Sequence, residues 1–97
     1  MKILPLKLFR VADDSMLPSI HDGDYVLVFT WASHFNKGDI IVLLHPTDAI
    51  PIVKRISGIY GGRYFVIGDN KSQSNDSRSF GNVGKEDIIG KVLWVAK

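Results

Sequence analysis

No cysteine occurs in the 97-residue sequence, so no disulfide braces the fold, no thiolate cage holds a metal, and no thiol can serve as a nucleophile. The chemistry must run on oxygen and nitrogen, and cysteine usage assigns no compartment. Long apolar runs are also missing. The stretch from Met1 to Phe9 carries Ile3, Leu4, Leu6, Leu8 and Phe9, but Lys2, Pro5 and Lys7 interrupt it. It falls well short of the roughly 20 apolar residues of a spanning helix. The same run meets Arg10, Asp13 and Asp14 rather than small residues at a cleavage site, which argues against a secretory signal and leaves a cytoplasmic address as the expectation. Nor does one sign of charge dominate. The 12 Lys and Arg stand against 10 Asp and Glu, interspersed, for a net charge of +2, which is no nucleic-acid signature. Repeats, heptads and low-complexity tracts are absent.

What is present is a set of short runs rich in Val, Ile, Tyr and Phe, broken by Gly, Asp, Asn and Pro, and this favours strands over helices. With 45% hydrophobic residues the chain carries one modest core, so residues 1–97 are expected to form a single all-β domain of antiparallel strands with long polar loops and little helix. Strands are expected at Leu6 to Val11, Tyr25 to Thr30, Asp39 to Leu44, Ile50 to Ile59, Arg63 to Gly68 and Ile88 to Val95. Gly61-Gly62 can take the positive φ that a two-residue hairpin turn demands, which makes the runs containing Lys54 and Phe65 paired neighbours. Asp22-Gly23-Asp24 marks a second turn. Asp69 to Gly84 reads as a polar loop long enough, in so small a domain, to be functional.

Side chains alternate across a strand, so Ile50, Ile52, Lys54 and Ile56 should project from one face. Lys54 then lies in an apolar row while Arg55 points the other way. Burial disfavours an ammonium and can bring a lysine toward neutrality near pH 7, where its amine is a competent base. The competing reading, a lysine that snorkels its charge to water, is the commoner fate of an isolated lysine.

Ser15 opens Ser15-Met16-Leu17-Pro18-Ser19-Ile20, just after a predicted strand. Pro18 fixes its own φ and pushes Leu17 toward extended geometry, giving a restricted segment that suits a nucleophile. The plainer alternative is a serine that caps a helical turn. His21, His34 and His45 make Ser-His-Asp the obvious competitor, but no G-x-S-x-G elbow surrounds Ser15. The histidines also lack H-E-x-x-H spacing, so no metal or cofactor is expected, and each histidine reads as a surface or loop residue. The third segment, Gly68-Asp69-Asn70-Lys71-Ser72-Gln73-Ser74-Asn75-Asp76-Ser77-Arg78, reads alone as a polar loop with a local Asp76–Arg78 ion pair.

Together, Ser15 to Pro18, Lys54-Arg55 and Gly68 to Arg78 resemble the Ser-Met-x-Pro, Lys-Arg and Gly-Asp-Asn-x-x-x-Ser-x-Asp-Ser-Arg boxes of the type I signal peptidase family. They occur in the same order, the third box matches at every defined position, and the similarity runs from about Val11 to Val95. The resemblance implies that Ser15 attacks the scissile carbonyl and that Lys54 takes its proton. It also implies that Ser74 hydrogen-bonds and orients Lys54, that Asp76 and Arg78 pair with Asp69 supporting them, and that Met16 and Pro18 contact substrate. The Ser15 N–H would be one oxyanion donor, a contribution of roughly 3 to 4 kcal/mol. Membrane-anchored members carry a spanning helix ahead of the serine box and often a large β insertion before the third box. This sequence shows neither, which predicts a bare catalytic core. Asp13 stands where members usually have Ser or Gly, and a carboxylate there would oppose developing negative charge.

Among members without an anchor the chain is most similar to the short maturation proteases of nickel-type superoxide dismutase, which implies endoproteolysis of a leader peptide or propeptide on a precursor protein. Nickel would then belong to the substrate. A self-cleaving domain similar to SOS-response repressors is the alternative within the same chemistry, and a non-catalytic peptide-binding β module is the alternative outside it. Phe9, Trp31, Phe35 and the apolar N-terminus offer an edge for peripheral membrane contact, although core packing is the commoner use of such residues.

Overall fold

The computed structural model describes residues 5–97, so Met1 to Leu4 of the apolar N-terminal run lie outside the described residues. Six strands follow in chain order: β1 (Leu6–Arg10), β2 (Tyr25–Phe29), β3 (Ile40–Leu44), β4 (Pro51–Tyr60), β5 (Arg63–Ile67) and β6 (Ile88–Ala96). They form one antiparallel sheet in the order β1-β2-β6-β3-β4-β5. The fold is all-β, as the runs of β-branched and aromatic residues require.

Strand β3 sits inside the sheet, between β4 and β6. Its sequence, Ile40-Ile41-Val42-Leu43-Leu44, is apolar without alternation, the pattern of a strand covered on both faces. Ile41 and Leu43 accordingly enter one core cluster, with Phe35, Ile56, Tyr64, Val66 and Val83. Val42 enters a second, with Val11, Met16, Ile20, Val26 and Val28. Gly61 and Gly62 adopt φ of 57° and 76° and turn β4 tightly into β5, the hairpin expected of two adjacent glycines.

Three details depart from the sequence reading. Ile50 precedes β4 and is largely exposed, so the inward row reduces to Ile52, Lys54 and Ile56. The polar stretch from Asp69 to Gly84 is not one irregular loop. It holds a 3₁₀ turn at Lys71–Gln73 and a single helical turn, α1 (Ser77–Phe80), whose N-cap is Asp76. The carboxylate of Asp76 accepts from the Arg78 N–H, which is the interaction that starts such a turn. Finally, Phe9, Trp31 and Phe35 do not share an exposed edge: Phe35 is in the first cluster, Phe9 packs against the second, and only Trp31 is open to solvent. Among the described residues no helix is long and apolar enough to cross a membrane.

Candidate active site

The serine segment is a helical turn pinned by its own apolar residues. Ile20 N–H donates to the Met16 carbonyl at 3.0 Å, and both side chains are fully buried in the second cluster. Burying each contributes about 1.5 to 3 kcal/mol. This overturns the expectation that Met16 contacts substrate: it is an anchor, inaccessible to any peptide. Pro18 is exposed on the outside of the turn and does not line the groove described below.

With the turn fixed, Ser15 faces the inward row of β4. Lys54 Nζ lies 2.8 Å from Ser15 Oγ. Neither group is open to water: Lys54 is 2% exposed and Ser15 3%. Lys54 lies beside Ile41 across the β3–β4 ladder, with Ile56 next along its own face. Burial pushes the lysine amine below its usual range, against the opposing fields of Asp13 and Asp76, which favour the ammonium. The pair is a hydroxyl in hydrogen-bonding contact with an amine driven toward its neutral form. No histidine is hydrogen-bonded to Ser15 among the described residues. His45 is mostly buried rather than on the surface, and its Nδ1 accepts from the N–H groups of Thr47 and Asp48 at 3.1 Å each.

Asp76 is a fully buried carboxylate that gathers five donors. Arg78 reaches it in a bidentate pair, Nε to Oδ1 at 2.9 Å and Nη2 to Oδ2 at 2.9 Å. The Arg78 N–H, the Gly68 N–H at 3.0 Å and the Ser74 hydroxyl at 2.8 Å complete the set. Burial alone would raise the carboxyl, but Arg78, Gly68 and Ser74 outweigh it and hold it lowered to about 2. The Asp76–Arg78 pair therefore lies where the sequence placed it. Ser74 differs: its hydroxyl donates to Asp76 rather than bonding Lys54, because an ionised acceptor two residues away is the stronger partner.

Asp69 does not support that pair either. It takes Arg55 in a second bidentate bridge, with Nε to Oδ1 and Nη2 to Oδ2 both at 2.8 Å, and accepts from the Ser19 hydroxyl at 2.6 Å. One carboxylate thus ties β4 to the serine turn, and the guanidinium beside it holds Asp69 below the usual carboxylate range. Asn70 adds two more ties, its N–H to the Ser15 carbonyl at 2.9 Å and its Nδ2 to the Asp14 carbonyl at 3.1 Å. Gly68 makes the approach possible, since a Cβ there would clash with the Ser15 carbonyl and the Ser74 side chain. Ser19, Asn70 and Gly68 were not singled out from sequence, although Gly68 and Asn70 sit in the third box.

A groove of about 230 Å³ runs beside the serine turn, lined by Phe9 to Asp13 on one wall and Ile50 to Val53 with Val42 on the other. Strand β4 pairs with β3 along Pro51–Val53, whereas β5 pairs with it only from Arg55 onward. Among the described residues no strand occupies the outer edge of Pro51–Val53. Asp13, on the groove wall, accepts the Ser15 N–H at 3.1 Å through Oδ1.

The chain is similar to known peptidases. Residues 5–93 match the family described as Peptidase S24-like. A probable signal peptidase I-1 of Synechocystis sp. is 26% identical over 133 aligned positions, covering 87% of this chain and 67% of that protein. Signal peptidase I of Leptolyngbya laminosa is 27% identical, with 86% and 64% covered. Signal peptidase I U of Bacillus subtilis is also 27% identical, with 87% and 72% covered. The chain therefore spans about two thirds of these relatives' length. Because 133 aligned positions exceed the 97 residues of this chain, the Synechocystis protein carries extra residues within the matched span.

Proposed function

The chain belongs to the Peptidase S24-like family and is a serine peptidase, and on that premise we propose that Ser15 is its nucleophile and Lys54 its general base in removing a leader peptide from a precursor protein. One observation carries the reading: a buried amine 2.8 Å from a buried hydroxyl. A Ser/Lys pair works only when the amine is neutral, and desolvation favours that form here.

The neutral Lys54 amine takes the Ser15 Oγ proton as Oγ bonds the scissile carbonyl carbon and the carbonyl π pair moves onto oxygen. The Ser15 N–H is one donor to that oxyanion. Collapse re-forms the carbonyl and breaks the C–N bond, and the Lys54 ammonium passes its proton to the departing amine. Water then attacks the ester carbonyl with Lys54 again as base, and the proton returns to Ser15 Oγ when the acid is released. Asp69, Ser74, Asp76 and Arg78 are positioning residues that hold the two halves of the pair in register.

Substrate lies extended in the groove, adding to the open edge of Pro51–Val53 as an extra strand. A groove of this size favours small side chains ahead of the cut. A nickel-type superoxide dismutase precursor is the first substrate to try, a choice supported by the resemblance in the sequence alone. The test compares the natural chain with Ser15→Ala and Lys54→Ala on synthetic leader peptides, read by mass spectrometry. Cleavage by the natural chain and none by either variant is expected; equal cleavage by all three would overturn the assignment.

A further inference from the structure

The Ser15 N–H, the donor that the oxyanion needs, is already taken. Asp13 Oδ1 accepts it at 3.1 Å. A carboxylate bonded to an N–H two residues on is an ordinary Asx turn, and at most sites it means local folding only. Three features make it consequential here. The N–H belongs to Ser15. The carboxylate is solvent-exposed and forms part of the groove wall in which an extended peptide would lie, so it can be moved by what binds there. And among the described residues Asp13 makes no ion pair that would neutralise it, so its charge is free to act on Lys54.

We propose that Asp13 is a built-in brake on catalysis: in the free protein its carboxylate occupies the Ser15 N–H, and substrate entering the groove displaces it. The inference rests on the Ser15/Lys54 reading and deepens it. The oxyanion and the Asp13 carboxylate are both anions seeking one hydrogen, so they cannot hold it together, and the carboxylate must swing out of the groove toward solvent before the tetrahedral intermediate is bound. Rotation also carries negative charge away from the amine, which lets the proton leave.

The other charged groups facing Lys54 are accounted for. From the segment before α1 comes Asp76, whose charge is matched by Arg78 in a bidentate pair. From β6, Lys91 stands in the same cross-sheet row beyond Ile41, and its ammonium pairs with Asp39 at 3.2 Å. Arg55, next on β4, is bridged to Asp69. Asp13 is the facing charge left without a countercharge.

Two variants separate the two halves of the brake. Asp13→Asn keeps a carbonyl oxygen that can accept the Ser15 N–H but loses the charge. Asp13→Ala loses both. Rates are read against pH on a peptide with alanine one and three residues ahead of the scissile bond, using the full chain, with Ser15→Ala as control. For Asp13→Asn the acid limb of kcat/KM is expected to move to lower pH, with a smaller rise in its alkaline plateau than Asp13→Ala gives. For Asp13→Ala the same limb moves and the plateau kcat/KM rises, on the order of tenfold. NMR titration of the Lys54 amine gives a reading without turnover, with the midpoint expected lower in both variants. An Asp13→Ala protein that unfolds like the natural chain yet keeps its plateau, its limb and its Lys54 midpoint overturns the proposal, as does one whose plateau falls. Cleavage retained by Ser15→Ala would instead sink the assignment of the nucleophile. A dead Ser15→Ala beside unchanged Asp13 variants sinks the brake alone.

Discussion

Lys54 is costly where it stands. The residue is 2% exposed, and an ammonium there loses water that its neighbours only partly replace. Burial lowers its pKa in the fold below the ordinary lysine value of 10.5, so between the folded value and 10.5 the unfolded chain binds more protons, and stability rises with pH across that window. Below the window the cost is present in full. Lys54→Met should therefore abolish hydrolysis and raise stability near pH 7 by roughly 1 kcal/mol, several degrees in Tm for a domain of this size. Thermal unfolding at neutral and at alkaline pH checks this, with the gap narrowing as pH rises. Asp76 has the opposite sign. Held at about 2 against 3.8, it contributes stability that is complete above pH 3.8 and is lost as pH falls through about 2. Asp76→Asn should destabilise by roughly 2 kcal/mol at neutral pH by stranding its donors, and its acid-unfolding curve should be flatter across that range. The position of Lys54 was legible because strand alternation is local. The partners of Ser74 and Asp69 were not, because which donor wins a carboxylate depends on residues from other elements.

Two elements meet at the site, and a third holds them together. The serine turn supplies the hydroxyl, β4 supplies the amine, and Gly68-Asp69-Asn70 staples one to the other through Ser19, Arg55 and the Ser15 and Asp14 carbonyls. The staple depends on close backbone approach at Gly68. Gly68→Ala should push Ser15 away from Lys54, lowering kcat more than it raises KM and speeding hydrogen exchange at Asn70 N–H; kinetics and exchange on the same sample test both. The six strands were legible almost residue for residue, since apolar runs and Gly61-Gly62 carry that information locally. Met16 was misread as a substrate contact because nothing in Ser-Met-x-Pro tells an outward methionine from an inward one. The fully buried Met16 and Ile20 show that the turn's helical spacing, four residues apart, was the available signal.

At the scale of the whole molecule, a six-stranded sheet carrying two core clusters leaves one edge of β4 open over Pro51–Val53 and places the reactive pair at its end. The groove was invisible in the sequence because its two walls, Phe9 to Asp13 and Ile50 to Val53, lie some forty residues apart in the chain. The account stands on one quantity, the protonation state of the Lys54 amine in the folded chain. Labelling lysine with ¹⁵N, assigning Lys54 by comparison with Lys54→Met, and titrating it alongside kcat/KM measures that quantity directly. The expected result is a midpoint well below that of the exposed lysines and coincident with the acid limb of the rate profile. A Lys54 amine that titrates with the exposed lysines, while hydrolysis continues at pH 7, would contradict it.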